Sequence, residues 1–289
     1  MKGNNSVVFN SCGVENHLIN IYPGGEWLYY NIYVNQNSAD KLIVEIAKKL
    51  ENLKGKDYSN SFFFVRYYDK EKGDHLRVRI RVTPEVLGTV IEDLYHFFRN
   101  NQVVRSINLD TYQRELTRYG WPSIITVEEI FCIDSQIVSS FLSNDKQQTD
   151  IDKMKFCIAT IYHYLNLFKY TEDEKVRFVE YAKLNFFSEF NVDSTSKKSI
   201  NKSYNQHIKA DFSLEDTLNL NIQNPLYIKR SILCSEIIAL DIADHKDDLS
   251  WSIIHMFINK VFSKKYRLYE MLVYDYLDKI LKTRFHTGK

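Results

Sequence analysis

The sequence predicts an α+β fold: a largely antiparallel sheet with flanking helices in the first half and a mostly helical second half. Three observations lead there. Aromatic and β-branched runs at residues 27–34, 62–68 and 75–82 alternate with helix-period segments, whereas from about residue 126 only helical spacing recurs. Gly 9 and Pro 4 are few beside Tyr 20 and Phe 18, which favours long elements over a many-turned sandwich. At 289 residues and 44% hydrophobic content, the chain can bury a substantial core.

Residues 1–24 form an N-terminal segment closed by the break Pro23-Gly24-Gly25. Residues 25–289 read as one domain, with an α+β part over 25–125 and a mainly helical part over 126–289. Trp27 to Val34 is a strand by content, and Ser38 is placed to cap a helix with apolar residues at Leu42, Ile43, Ile46 and Leu50. Phe62–Tyr68 and His75–Val82 are two strands joined through the polar turn 69–74 as a hairpin. Thr83-Pro84 opens a helix whose stripe is Val86, Leu87, Val90, Ile91, Leu94 and Phe98. Segments Val127–Leu142, Ile151–Tyr170, Glu172–Phe190, Pro225–Ile242 and Leu249–Thr283 carry helical spacing. Asn191–Lys209, rich in Ser, Lys and Asn, is predicted as a loop.

Lys+Arg 38 against Asp+Glu 37 leaves a charge of +1, so no global field attracts nucleic acid or an anionic membrane, and any anion site is local. Cys12, Cys132, Cys157 and Cys234 show no metal-ligand spacing and fit reduced thiols; no metal or cofactor is expected. The N-terminus lacks the apolar stretch of a signal peptide and no run is long enough to span a bilayer, so the expected location is cytoplasmic, without membrane attachment. There is no Gly-rich phosphate loop, no H-E-x-x-H and no G-x-S-x-G, which argues against nucleotide enzymes, zinc hydrolases and serine hydrolases.

The charge is concentrated between residues 75 and 118. In His75-Leu76-Arg77-Val78-Arg79-Ile80-Arg81 the alternation puts Leu76, Val78 and Ile80 on one face and three arginines on the other. Three guanidiniums on one strand face repel each other, which makes sense where that face meets an anion and is merely tolerated where it faces bulk water. Tyr112-Gln113-Arg114-Glu115-Leu116-Thr117-Arg118-Tyr119-Gly120 brackets a carboxylate between arginines; on a helix, Arg114, Glu115 and Arg118 meet on neighbouring faces. Such spacing more often marks an ordinary surface salt bridge. His255 shares a polar face with Ser252 and Asn259 on an otherwise apolar helix. A core histidine is usually just hydrogen-bonded, although imidazole is also the usual proton shuttle.

Six segments in order then resemble the C-terminal, glutamate-elimination domain of class I lantibiotic dehydratases, also called the thiopeptide-type bacteriocin biosynthesis domain. They are Trp27-Leu28-Tyr29-Tyr30, Phe63-Phe64-Val65-Arg66-Tyr67-Tyr68-Asp69, His75-Leu76-Arg77-Val78-Arg79, Tyr112 to Gly120, Glu129-Ile130-Phe131 with Asp134-Ser135, and His255-Met256-Phe257-Ile258-Asn259-Lys260. The resemblance implies removal of glutamate from glutamylated Ser or Thr of a ribosomal precursor peptide, leaving dehydroalanine or dehydrobutyrine. It implies eliminase roles for Arg77, Arg79, Glu115, Arg118 and His255, and substrate-holding roles for Arg66, Arg114, Tyr119 and Asn259. The expected partners are the precursor peptide and a separate glutamylation subunit that uses glutamyl-tRNA; the tRNA is not bound by this chain, and a homodimer is left open. Two positions depart from the pattern: Asn259-Lys260 stands where Asn-Arg is familiar, and Trp121-Pro122 where a further glycine is common. Pyridine synthases of thiopeptide pathways share the fold and perform a [4+2] cycloaddition on dehydroalanines, so cyclase activity stays an alternative, as does a non-catalytic peptide-binding role.

Overall fold

Trp27–Val34 is the strand on which the sheet is organised, buried along its whole length in a computed structural model that describes residues 15–53, 62–144, 148–209, 212–214, 224–240 and 245–287. Most of the N-terminal segment, with Cys12, lies outside the described residues, as do residues 241–242 of the Pro225–Ile242 segment. The first elements are α1 (Asn16–Ile19), β1 (Asn20–Ile21), β2 (Trp27–Val34), α2 (Gln36–Leu53), β3 (Phe62–Asp69), β4 (Gly73–Arg81) and α3 (Leu87–Arg99). β5 (Val104–Asp110), β6 (Tyr112–Gln113), α4 (Leu116–Tyr119) and α5 (Ser123–Leu142) follow.

The sheet runs β3-β4-β2-β5, with every neighbour pair antiparallel, and β1 pairs with β6 separately. Its register sorts the side chains. Leu28, Tyr30 and Ile32 of β2 and Leu76, Val78 and Ile80 of β4 are buried on one face, where α2 packs on β4 and Phe98 of α3 meets Tyr30 at 5.7 Å. The opposite face carries Trp27, Tyr29, Asn31 and Tyr33 of β2 directly across from Arg81, Arg79, Arg77 and His75 of β4. The predicted alternation of β4 is therefore observed, and its hydrophobic set does face the core.

Several boundaries differ from expectation. α2 starts at Gln36, where Asn35 Oδ1 accepts from the Asn37 amide at 2.9 Å, so Asn35 serves the helix start expected of Ser38. Pro84 sits in a turn closed by Thr83 O, and α3 begins at Leu87. Leu249–Thr283 is two helices, α10 (Lys246–Val261) and α11 (Tyr266–Thr287), because Phe262 is extended and Lys265 takes φ 49°. Asn191–Lys209 is not a loop: Ser194–His207 is helix α8, capped by Asp193, whose side chain accepts from the Ser196 amide at 2.7 Å.

The chain divides into two compact units, residues 1–146 with 239–263, and residues 147–238 with 264–289. The second unit holds α6 (Asp150–Leu167), α7 (Glu172–Glu189), α8, α9 (Pro225–Ala239) and α11. Thr149 and Thr171 close capping boxes with Asp152 and Glu174 at the starts of α6 and α7. α11 packs on α6 and α7, where Lys183 meets the buried Asp278 at 2.5 Å.

Candidate active site

The guanidiniums of β4 do not point into bulk water; they lie on aromatic rings. Arg77 stands 3.5 Å over the Tyr67 ring. Arg79 is held by Tyr29 at 4.3 Å, Tyr112 at 4.5 Å and Phe63 at 5.1 Å. Such seats favour a desolvated cation by about 0.5–2 kcal/mol and leave its hydrogen-bonding edge available. Arg81 instead covers Trp27 and pairs with Glu129 at 2.8 Å. Among the described residues, no carboxylate forms an ion pair with Arg77 or Arg79.

β6 and α4 bring the second cationic segment to the same face. Tyr112 packs edge-on against Trp27, Tyr29 and Phe63 at 6.1, 6.4 and 6.0 Å, which fixes the strand above Arg79. Arg118 pairs with Glu115 at 2.9 Å, both being about half exposed. Tyr119 is buried and its ring meets Phe131 of α5 at 5.5 Å. Burial holds the Tyr119 hydroxyl well above the usual phenol range; Glu115 raises it further, while Arg118 and Arg79 both act to lower it. The hydroxyl therefore lies in the field of both arginines. The turn into α5 needs Gly120, whose φ is 71°.

α10 packs against β3, α4 and α5, so the helix that carries His255 adjoins the segment that carries Arg118. His255 is half-buried one turn before Asn259. Lys260 is fully buried with Nζ over the Phe131 ring at 4.8 Å. Burial lowers the Lys260 pKa to about 8; Asp134 and Cys132 oppose that shift and Arg79 adds to it. Lys260 is thus a further cation whose charge is felt together with that of Arg79.

Three of the expected substrate-holding residues are engaged by the protein itself. Asn259 donates from Nδ2 to Arg66 O at 3.1 Å and accepts from the Arg66 amide at 2.9 Å, closing the outer edge of β3. The Arg66 guanidinium is buried on Asp40 at 2.6 Å and on Lys260 O at 2.9 Å. Arg114 forks onto the fully buried Glu128 at 2.7 and 2.8 Å and also donates to Glu26 and Leu18 O. Arg114 does not share a helix face with Glu115 and Arg118, because the helix begins only at Leu116 and residue 114 follows a strand.

The sequence model for the C-terminal region of lantibiotic biosynthesis dehydratases matches residues 27–281. The chain belongs to that family. It is 28% identical over 214 residues to the nisin biosynthesis protein NisB of Lactococcus lactis subsp. lactis, across 70% of this chain but only 19% of NisB. Its fold matches the tRNA-dependent lantibiotic dehydratase MibB from Microbispora sp. 107891 with TM-score 0.67 and 17% identity, covering 90% of this chain and 29% of MibB. The pyridine synthase TbtD from thiomuracin biosynthesis matches with TM-score 0.55 and 10% identity, over 89% of this chain and 99% of TbtD.

Within this dehydratase-family fold, some positions around the site were not legible from spacing. Tyr29, Phe63 and Tyr112 look like core aromatics in sequence and become the seat of Arg79 only through the strand register. Lys260 carried a signal, a lysine inside an apolar helical stretch, but its neighbours Asp134 and Arg79 are far away in sequence. Among the described residues no group of three His, Cys, Asp or Glu side chains could hold a metal, and no helix is long and apolar enough to cross a membrane.

Proposed function

We propose that the chain is the glutamate-elimination component of a dehydratase, acting on glutamylated Ser or Thr of a precursor peptide supplied by a glutamylating partner. The observation that carries this reading is the pair Arg77 and Arg79, seated on rings and carrying no carboxylate partner among the described residues. Cations held in that way suit an anionic adduct better than they suit the fold.

The reaction removes the α-proton of the modified residue, forms the Cα–Cβ double bond and breaks the Cβ–O bond, whose electron pair leaves with glutamate. The departing carboxylate has a free pKa of roughly 3.5, so it needs little acid help. The demanding steps are deprotonation and stabilisation of the enolate oxygen. Arg79 and Arg118 both act on the Tyr119 hydroxyl and provide planar, permanently charged donors for enolate and carboxylate oxygens. Glu115 holds Arg118 in place at 2.9 Å, Arg77 binds the adduct, and His255 moves the proton.

The test is to incubate the purified chain with a glutamylated peptide and follow loss of glutamate by mass spectrometry. His255→Ala should slow elimination about 10²–10⁴-fold and leave glutamylated peptide behind. A wild-type chain that leaves this peptide intact overturns the reading. A second reading keeps the fold that the chain shares with TbtD and has it cyclise a bis-dehydroalanine peptide. Cyclisation of that substrate with the glutamylated peptide untouched would decide for it.

A further inference from the structure

Beside the Arg79 seat, the same sheet face opens into a concavity of about 690 Å³ whose lining includes Asn31, Lys72, His75, Arg77, Asn108 and Asp110. Its chemistry is divided. Arg77, Asn31 and Asn108 form one row across β4, β2 and β5, and Arg79, Tyr29 and Asp110 form the next. Adjacent strands are about 4.8 Å apart, so Arg77 and Asn31 line the concavity from neighbouring strands, with the Arg77 guanidinium leaning over Tyr67 of β3. Asn31 is only 8% exposed, and its Nδ2 donates to Asp110 Oδ2 at 3.1 Å, which turns Oδ1 away from that carboxylate. Asn31 Oδ1 is buried and accepts no hydrogen bond from the described residues. A buried acceptor of this kind calls for a donor.

A simple anion is disfavoured here by Asp110 and the nearby Asp69, and a simple cation by Arg77 and Lys72. Burial lowers the His75 pKa, opposed by the contact with Gly73 O and by Asp69 and Asp74 and aided by Arg77, which favours the neutral ring. The ring lies tilted against Tyr33 at 4.8 Å. A ligand carrying both charges satisfies both sides.

We propose that this concavity is a subsite for an acidic α-amino acid or its acyl group, a zwitterion read through its free ammonium group and its side-chain carboxylate. Its ammonium group donates to Asn31 Oδ1 and the Asp110 carboxylate, and its side-chain carboxylate meets Arg77 with Lys72 beside it. Identifying that zwitterion with the glutamyl group of the substrate rests on the elimination reading; the α-carbonyl ester then falls towards the next row, where Arg79 sits. The subsite would read the free ammonium group, a feature that distinguishes an aminoacyl ester from any other acyl ester.

Calorimetric titration of the full chain with L-glutamate and with N-acetyl-L-glutamate tests the subsite without any variant. Acetylation should weaken binding about tenfold or more, the order expected for losing a charge-assisted hydrogen bond. Asp110→Asn, at an exposed position, should weaken L-glutamate by a similar factor and leave N-acetyl-L-glutamate unchanged. Equal binding of the two ligands, an Asp110→Asn effect that is absent or equal for both, or no L-glutamate binding at all, overturns the proposal. A chain that binds L-glutamate as described but leaves glutamylated peptide intact keeps the subsite and loses the elimination reading. One that eliminates glutamyl and N-acetylglutamyl peptides at equal rates does the reverse.

Discussion

Glu128 has no exposed surface, and both of its oxygens are used, by Arg114 and by the Tyr112 hydroxyl. Removing one member of such a pair strands the other charge in the interior, a loss of about 3–5 kcal/mol. Glu128→Ala should therefore lower the urea midpoint strongly, with Tyr112 and the Arg79 seat disturbed as a consequence. Glu115→Ala is the contrasting change, since its pair with Arg118 is half exposed and worth at most about 1 kcal/mol. It should leave the urea midpoint near wild type and lower the rate of glutamate loss. Stability loss comparable to that of Glu128→Ala would make Glu115 a scaffold residue. The two carboxylates look alike in the sequence. What separates them is burial and partner: Arg114 reaches Glu26 and Glu128 across 88 and 14 positions, and Arg66 reaches Asp40 across 26, none of which spacing announces. Arg77, Arg79 and Arg118 were legible because strict alternation and the bracketed carboxylate are local patterns.

At the scale of elements, the outer edge of β3 is closed by side chains from two helices. Ser135 Oγ of α5 accepts from the Phe64 amide at 3.2 Å, and Asn259 of α10 bridges the amide and carbonyl of Arg66. Asn259→Ala would leave two backbone groups of Arg66 unsatisfied in a buried setting, about 1–3 kcal/mol each. Hydrogen exchange should rise first at the Arg66 amide and much less at the β2 amides; uniform acceleration across the sheet would refute an edge-specific clamp. β2, β3 and β4 were readable because aromatic and β-branched residues dominate them. β5, Val-Arg-Ser-Ile-Asn-Leu-Asp, was not, since as an edge strand it is mostly exposed and its composition has no greasy face. α8 was hidden for a related reason: of its residues only Tyr204 is buried, so the helix is polar nearly all round and has no stripe to detect.

For the whole molecule, two bases shifted by burial contribute to how stability answers to pH, one in each compact unit. Burial takes His163 of α6 to a pKa of about 3, with Arg230 lowering it further. The unfolded chain therefore takes up this proton near pH 6.5 while the folded chain refuses it, and stability falls as pH drops from about 6.5 towards 3. Lys260 behaves in the same sense at higher pH. Its folded value is about 8 against an ordinary 10.5, so between these values the unfolded chain binds more protons, and stability rises with pH across that window. The rise from this group is on the order of 3 kcal/mol. Lys260→Arg keeps the charge beside Asp134 and cannot titrate in that range, so the difference between variant and wild-type unfolding free energy should change with that slope from pH 8 to 10. The same substitution separates stability from catalysis. If the Lys260 charge supports the field around Arg79, wild-type turnover should decline above about pH 8 even as the fold gains stability, and Lys260→Arg should hold its rate there. Parallel pH profiles for the two proteins would show that the Lys260 proton has no part in the chemistry.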